Sequence, residues 1–546
     1  MVSNKLSSGG GDAGRTTGMP GRRSFLLMAG AAVGAGALSS CMRVAEGQAG
    51  AAGTVRVTRQ ARLTAAVNSP NWTALRDDLS THQLLQPGNR TYPAAKVLFD
   101  PRFDGLEPAA IAYCRTPGDV STCLAFARKY GVRIRARSGG HSYAGWSSVT
   151  GGLIVDVTQM NSFSVGSGNV QVGTGTHLID LYNHLAAHGL AVPGGSCPTV
   201  GSAGLTLGGG VGVLDRAYGL TCDNLESVQI VTADGLIREC SAASNSDLFW
   251  ACRGGGGGNF GVATSFTFRT HPLSRLVLFF LSWPWSQAFR VIAGWQAWAP
   301  SAPDALWSNL HLAASPGGTT PSVTVGGTYL GSVSGAASLL HKLYAAVRSS
   351  PSSHFLAEET FLNAMLVEAG CSGLNVNECH LPGQAPGGTL TRQPEIAKSD
   401  FFTRRLPASG VNTLLAGVEK LQRVHGAAGG AGGVAFDAFG GVINRVAPSA
   451  TAFVHRNALF LAQYTTVWRT GAASGGVANQ QAWLRSFYAS MRPYASGQAY
   501  QNYVDPDLTN WSQAYYGANY PRLQQIKAKY DPHQLFDFPQ AITPHA

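Results

Sequence analysis

At 546 residues the chain exceeds what one hydrophobic core organises, so two domains are the default. Its 45% hydrophobic and 13% charged content exclude a disordered chain. The net charge of +11 is scattered, with no basic run interleaved with aromatics; this excludes a nucleic-acid-binding surface and leaves solubility and some attraction for anions.

The first segment reads as an address. Arg22-Arg23-Ser-Phe-Leu-Leu precedes a weakly apolar Ala/Gly run ending near Leu38, too short for a mature membrane span of ~20 residues. Twin arginines in that setting resemble a Tat export signal, which carries folded proteins. Leu38-Ser-Ser-Cys41 resembles a lipobox, with a lipid on Cys41 or plain secretion as the two outcomes. The expected division is 1–41 signal, 42–89 lead-in with an N-terminal helix, 90–275 first domain, 276–495 second domain and 496–546 a returning tail. An exported chain tolerates disulfides, and of nine cysteines Cys371 and Cys379 sit close enough in one polar loop to pair. No Cys/His spacing resembles a metal site.

In the first domain, residues 119–130 read as a helix after Pro117-Gly118 and before Gly131. Residues 132–137 form a strand that runs into Arg137-Ser138-Gly139-Gly140-His141-Ser142-Tyr143. Strands at 153–157 and from 170 follow, then a helix capped by Thr176 and stopped by Gly189. A second glycine turn, Gly194-Gly-Ser-Cys197-Pro-Thr-Val200-Gly201, leads into Gly204, Gly208, Gly209, Gly210 and Gly212, a run read as too glycine-dense for a helix. Strands at 225–231 and 262–268 flank a five-glycine loop, 254–258. The second domain carries clustered tryptophans, strands at 323–329 and 458–468, and helices at 336–348 and 414–425; a last helix covers 520–530. The fold class is α+β.

Glycine turns let backbone approach a ligand closely and aim amides at an anion, which suggests a phosphate-bearing ligand. Residues 208–212 follow another glycine-rich loop and are not followed by a helix of good formers, so they lack the strand–turn–helix setting of a Rossmann fingerprint. On the residues alone, His141 is open to metal, base, core or covalent roles, and Cys197 to burial or attachment.

Arg137-Ser-Gly-Gly-His141-Ser-Tyr143-Ala-Gly145 resembles the histidyl-flavin motif of the berberine bridge enzyme-like FAD-linked oxidases, and Gly195-Ser-Cys197-Pro-Thr-Val200-Gly201 their cysteinyl-flavin motif. Tyr218-Gly219-Leu-Thr-Cys-Asp223 and the segment from Asp247 through Asn259-Phe-Gly261-Val262 resemble later FAD-contacting segments. Asn502-Tyr503-Val-Asp505, Tyr515-Tyr-Gly517 and Lys529-Tyr-Asp-Pro-His resemble the family's C-terminal signature. The resemblance implies a two-part PCMH-type FAD-binding domain plus an α+β substrate domain with an antiparallel sheet covered by helices. It implies FAD bonded twice, from His141 to the 8α methyl carbon and from Cys197 to C6. Residues implied around the cofactor are Arg137, Ser138, Gly139, Gly140, Ser142, Val200, Gly201, Gly204, Gly208, Gly209, Gly210, Gly212, Tyr218, Gly219, Asp223, Asn259, Gly261 and Val262.

The family's tyrosine base falls on Tyr503, a second active-site tyrosine on Tyr143 and a polar group near the flavin on Gln463. A free tyrosine titrates near ~10, so the base role calls for a partner that stabilises phenolate. Val200, small for its position in relatives, implies oxygen access and hydrogen peroxide as product. Two departures stand out: no acidic base can be matched, and Phe439 stands where some relatives carry another tyrosine. The implied function is oxidation of a hydroxyl on a carbohydrate or polyhydroxylated natural product, with O2 as acceptor and no metal. Alternatives are a tailoring oxidase of secondary metabolism and a secreted flavin- or sugar-binding protein without turnover.

Overall fold

The computed structural model describes residues 69–318 and 320–545. The twin-arginine segment, the lipobox cysteine and most of the lead-in lie outside them. Among the described residues no helix is long and apolar enough to cross a membrane.

The chain enters on the helix Trp72–Asp78 and passes to the strand Ala110–Tyr113. The helix Pro117–Tyr130 begins with a reciprocal cap. The Thr116 hydroxyl accepts from the Asp119 amide, and the Asp119 carboxylate accepts from the Thr116 amide. Val120, Cys123, Leu124 and Ala127 bury one face of this helix. It returns the chain to Ile134–Arg137, which pairs parallel with Leu153–Asp156, itself parallel to Ala110–Tyr113. A five-stranded antiparallel sheet follows in the order Phe163–Val165, Asn169–Gly173, Val262–Arg269, Leu225–Val231, Ile237–Ser241. These two small sheets carry the glycine turns at their edges.

One expectation is corrected here. Ser202–Leu207 is a helix despite Gly204 within it, and only Gly208–Gly212 is irregular. The neighbouring helix, Leu178–Ala187, is capped at His177 one residue beyond Thr176.

The second half is a seven-stranded antiparallel sheet. Its order is Ser353–Thr360, Arg275–Trp283, Ser322–Tyr329, Leu306–Ala314, Ala431–Ala438, Phe460–Val467, Glu395–Phe402. The helices Ala288–Trp298, Val333–Val347, Ala408–Gln422 and Ser474–Met491 cover one face. Strand alternation then assigns every side chain to a face. Leu310, Leu312, Val323, Val325, Val434, Phe436, Ala462 and Tyr464 pack under the helices. Their sequence neighbours Asn309, His311, Thr324, Gly326, Ala435, Asp437 and Gln463 line a cavity on the opposite face.

The tail returns to the first half. Tyr515, Tyr516, Leu523, Tyr530 and Ile542 join Val170, Val172, Phe266 and Phe268 in one buried cluster, with Trp307 and Phe361 from the second half. Cys371 and Cys379 are disulfide-bonded, with Cα atoms 5.8 Å apart.

Candidate active site

The two glycine turns cross backbone against backbone. A Cβ on Gly139 would lie 2.3 Å from the Gly201 nitrogen, and one on Gly201 would lie 2.0 Å from the Ser138 hydroxyl oxygen. No side chain fits at either position. Gly140 then takes φ +71°, a left-handed conformation that delivers His141 to the crossing. The imidazole stacks on Phe99 with centroids 4.1 Å apart, and its Nε2 lies 2.8 Å from Thr199 Oγ1. Burial, with His177 adding to it, pushes its pKa down to about 3, so the ring is neutral and a potential nucleophile at physiological pH. Cys197 faces the same space.

His141 and Cys197 open onto a cavity of about 730 Å³ that runs from the glycine turns to the seven-stranded sheet. Of the residues expected around a cofactor, Arg137, Ser138, Gly139, Gly140, Ser142, Val200, Gly201, Gly204, Gly212, Asn259, Gly261 and Val262 line it. The end near Ile134–Arg137 is suited to an anion. Arg135 Nε and Arg137 Nη1 are buried there without a hydrogen-bond partner, and Gly256, Gly257 and Gly258 expose backbone on the wall. Unpaired buried guanidinium nitrogens are costly, and a pyrophosphate would satisfy them. The donors, the glycine backbone and the volume fit FAD.

Other expected residues stand elsewhere. Gly208, Gly209, Gly210, Tyr218, Gly219 and Asp223 are not on the cavity wall. The glycines instead dock the tail. Gly210 N–H donates to Tyr500 Oη over 2.8 Å, the Gln501 amide donates to the carbonyls of Gly208 and Gly254, and Asn502 would meet any Cβ on Gly208. Asp223 holds Arg456 through two 2.7 Å hydrogen bonds, and Tyr218 stacks on His271 at 3.9 Å. Asn259 reaches the cavity, but its side chain is engaged with Gly255 and Ile542.

The docked tail projects Tyr503 into the cavity, edge-on to Tyr143 at 5.9 Å and Tyr500 at 5.0 Å between centroids. The Gln463 amide donates to Tyr143 Oη over 2.8 Å. The three residues expected to be catalytic are therefore brought together from two domains and the tail.

The expected phenolate-stabilising partner is not what Tyr503 meets. Burial, then Asp437, Tyr143 and Tyr500, all push its pKa upward. Two carboxyls share the cavity, which sequence reading did not find: Asp437, raised by burial to about 7, and Glu368, raised by burial and by Asp437 to about 8. Glu368 Oε1 is buried and unpartnered. The signal for Asp437 was its alternation between the apolar residues Phe436 and Ala438; Glu368, last in the helix Phe361–Glu368, gave none. Phe439 lies in a separate buried cluster, not on the wall.

A cavity that accommodates FAD at one end and converging tyrosines and carboxyls at the other defines a flavin-dependent oxidoreductase. The comparisons place the chain more closely. Residues 108–241 match the FAD binding domain family model, and residues 499–543 match the model described as "Berberine and berberine like". The uncharacterised FAD-linked oxidoreductase YvdP of Bacillus subtilis is 33% identical over 468 residues, covering 85% of this chain and 98% of YvdP. The chitooligosaccharide oxidase of Gibberella zeae is 30% identical over 455 residues, covering 81% of this chain and 88% of the oxidase. Among solved structures, Phl p 4, a grass pollen allergen with glucose dehydrogenase activity, superposes with a TM-score of 0.76. It is 27% identical, with 86% of this chain and 99% of the allergen covered, and an isoleucine-to-valine variant of it is described as a glucose oxidase. The chain belongs to the berberine bridge enzyme-like FAD-linked oxidoreductases.

Proposed function

We propose that the protein is an exported oxidase that converts a hydroxyl of a carbohydrate or polyhydroxylated natural product to a carbonyl, with hydrogen peroxide as co-product. The observation that carries this reading is the sheet face opposite the flavin loops. Asn309, His311, Thr324, Ser282 and Gln463 sit among Phe280, Trp307 and Phe355, a mixture of hydrogen-bonding groups and aromatic faces suited to a polyol. The chitooligosaccharide oxidase and the glucose-oxidising allergen act on ligands of that chemistry.

Bound FAD would supply a hydride acceptor at N5 and pass the electrons to O2. The chain must remove the proton. Tyr503 is the acceptor at the substrate hydroxyl, with Tyr143 held in place by Gln463 beside it. Because Tyr503 resists ionisation in this setting, it does not wait as phenolate. Asp437, whose pKa of about 7 lets it be a carboxylate at neutral pH, takes the phenolic proton that Tyr503 gives up as the substrate proton arrives. Val200 on the cavity wall is the residue that would leave O2 room. A tailoring oxidase remains the second reading, favoured by Asp437 and Glu368, which supply the acidic groups that such chemistry would use.

The flavin would be bonded to both His141 and Cys197. The neutral imidazole has Nε2 committed to Thr199, leaving Nδ1 for the 8α carbon. Acid-precipitated protein should stay yellow, and His141→Ala with Cys197→Ala should release the flavin; a colourless wild-type precipitate would sink the linkage. A panel of alcohols and sugars read by peroxide tests the activity. If no substrate bleaches the flavin, the protein is a binder.

A further inference from the structure

We propose that His177, Asp180 and His380 form a binding site for a first-row transition-metal ion, zinc in the first instance, that clamps the disulfide-tied loop onto the flavin wall. His380 directly follows Cys379, and His177 and Asp180 open the helix Leu178–Ala187. One ligand atom from each lies within 4.8 Å of the others.

Hydrogen-bond logic fixes the protons. His380 Nδ1 lies 2.8 Å from the Val376 carbonyl, which can only accept, so Nδ1 carries hydrogen. Its Nε2 faces Asp180 Oδ2 at 3.1 Å. In a neutral ring that places a lone pair against a carboxylate, so a positive centre belongs there, either a proton or a metal. A backbone carbonyl fixing the far nitrogen is the usual support of a metal-bound histidine.

His177 favours the metal. Its Nδ1 is 3.8 Å from the same carboxylate oxygen, too far for a hydrogen bond, and makes none among the described residues, so its lone pair is available to an ion held between Asp180 and His380. Tetrahedral zinc with bonds of ~2.1 Å needs ligand atoms ~3.4 Å apart, a value that the 3.1 and 3.8 Å separations bracket. Two imidazoles and one carboxylate are a zinc-type set. Asp180, a third exposed, gives solvent a route in and a water the fourth position.

The consequence is mechanical. His177 bridges to Gly201 in the second glycine turn, and Leu178 lines the cavity. A metal here would rigidify the wall that carries Cys197. Protons compete with a metal ion for the two imidazole nitrogens. Affinity therefore rises with pH.

The test uses the flavin-loaded protein, stripped with EDTA, desalted at pH 8 and titrated with zinc chloride. Expected are one zinc per chain after gel filtration, a Tm gain on the order of 5 °C, and binding weaker by about tenfold or more at pH 6. His177→Gln keeps the Asp180–His380 pair, so its zinc-free Tm should match the stripped wild type while the zinc-dependent gain disappears. Asp180→Asn should lose the gain too. The proposal is overturned if wild type retains no zinc and its Tm is indifferent to it, which leaves a protonated ion pair, or if both variants retain zinc as wild type does, which puts the metal elsewhere.

Discussion

At the scale of the residue, proton handling is concentrated in three groups whose surroundings all favour the neutral form. Tyr503→Phe should keep FAD and fold while lowering kcat by about 10²–10⁴, the usual weight of a general base; unchanged alcohol oxidation would remove Tyr503 from the mechanism. Asp437 has a raised pKa and acts in its ionised form, so kcat/KM should climb as pH rises through about 7. Asp437→Asn should flatten that limb, which a pH–rate profile resolves. Glu368 carries a stability cost of definite sign. A carboxyl whose pKa is raised by folding binds its proton more tightly in the native state. The stability this gives is present at low pH and lost as pH rises toward about 8. Glu368→Gln should therefore raise Tm by about 2–5 °C at pH 9 and change it little at pH 5.

At the scale of the element, the site depends on contacts between backbones. Gly139→Ala and Gly201→Ala each force a methyl group into the opposite turn, so either should abolish flavin retention, measured as the absorbance ratio of purified protein. The glycine turns and His141 were legible in the sequence because glycine clusters of this kind have few other uses. Gly208–Gly210 show the limit of that reasoning, since close approach was correctly inferred but the approaching group is the tail. The helix Ser202–Leu207 was missed because packing beneath the tail overrides the weak propensity of a glycine-rich segment. Several strands of the large sheet, among them Leu306–Ala314 and Ala431–Ala438, went unread, although their alternation of apolar and polar residues is plain once the sheet is known.

At the scale of the molecule, ligand-binding surface is assembled from regions far apart in sequence. Gln463 meets Tyr143 across 320 positions, and Asp180 meets His380 across 200. No local spacing encodes such meetings, which is why the Asp180 cluster and the cavity carboxyls escaped sequence reading while the motif-borne residues did not. The tail is part of the fold as well as the site, because Tyr515, Leu523 and Ile542 share the main buried cluster. Deleting residues 496–546 should give insoluble protein instead of a stable, inactive one, a difference visible in the soluble fraction on expression.

The seven-stranded sheet has a further consequence. Residues that hold it to its helices and residues that meet substrate alternate along the same strands, so neighbouring positions answer to different demands. Asn309, His311, Thr324 and Ser282 can be exchanged while Leu310, Leu312, Val323 and Val325 keep the scaffold intact. Substrate preference can thus drift with little change in foldability. Relatives named for chitooligosaccharides, glucose and monolignols are the diversity such an arrangement permits.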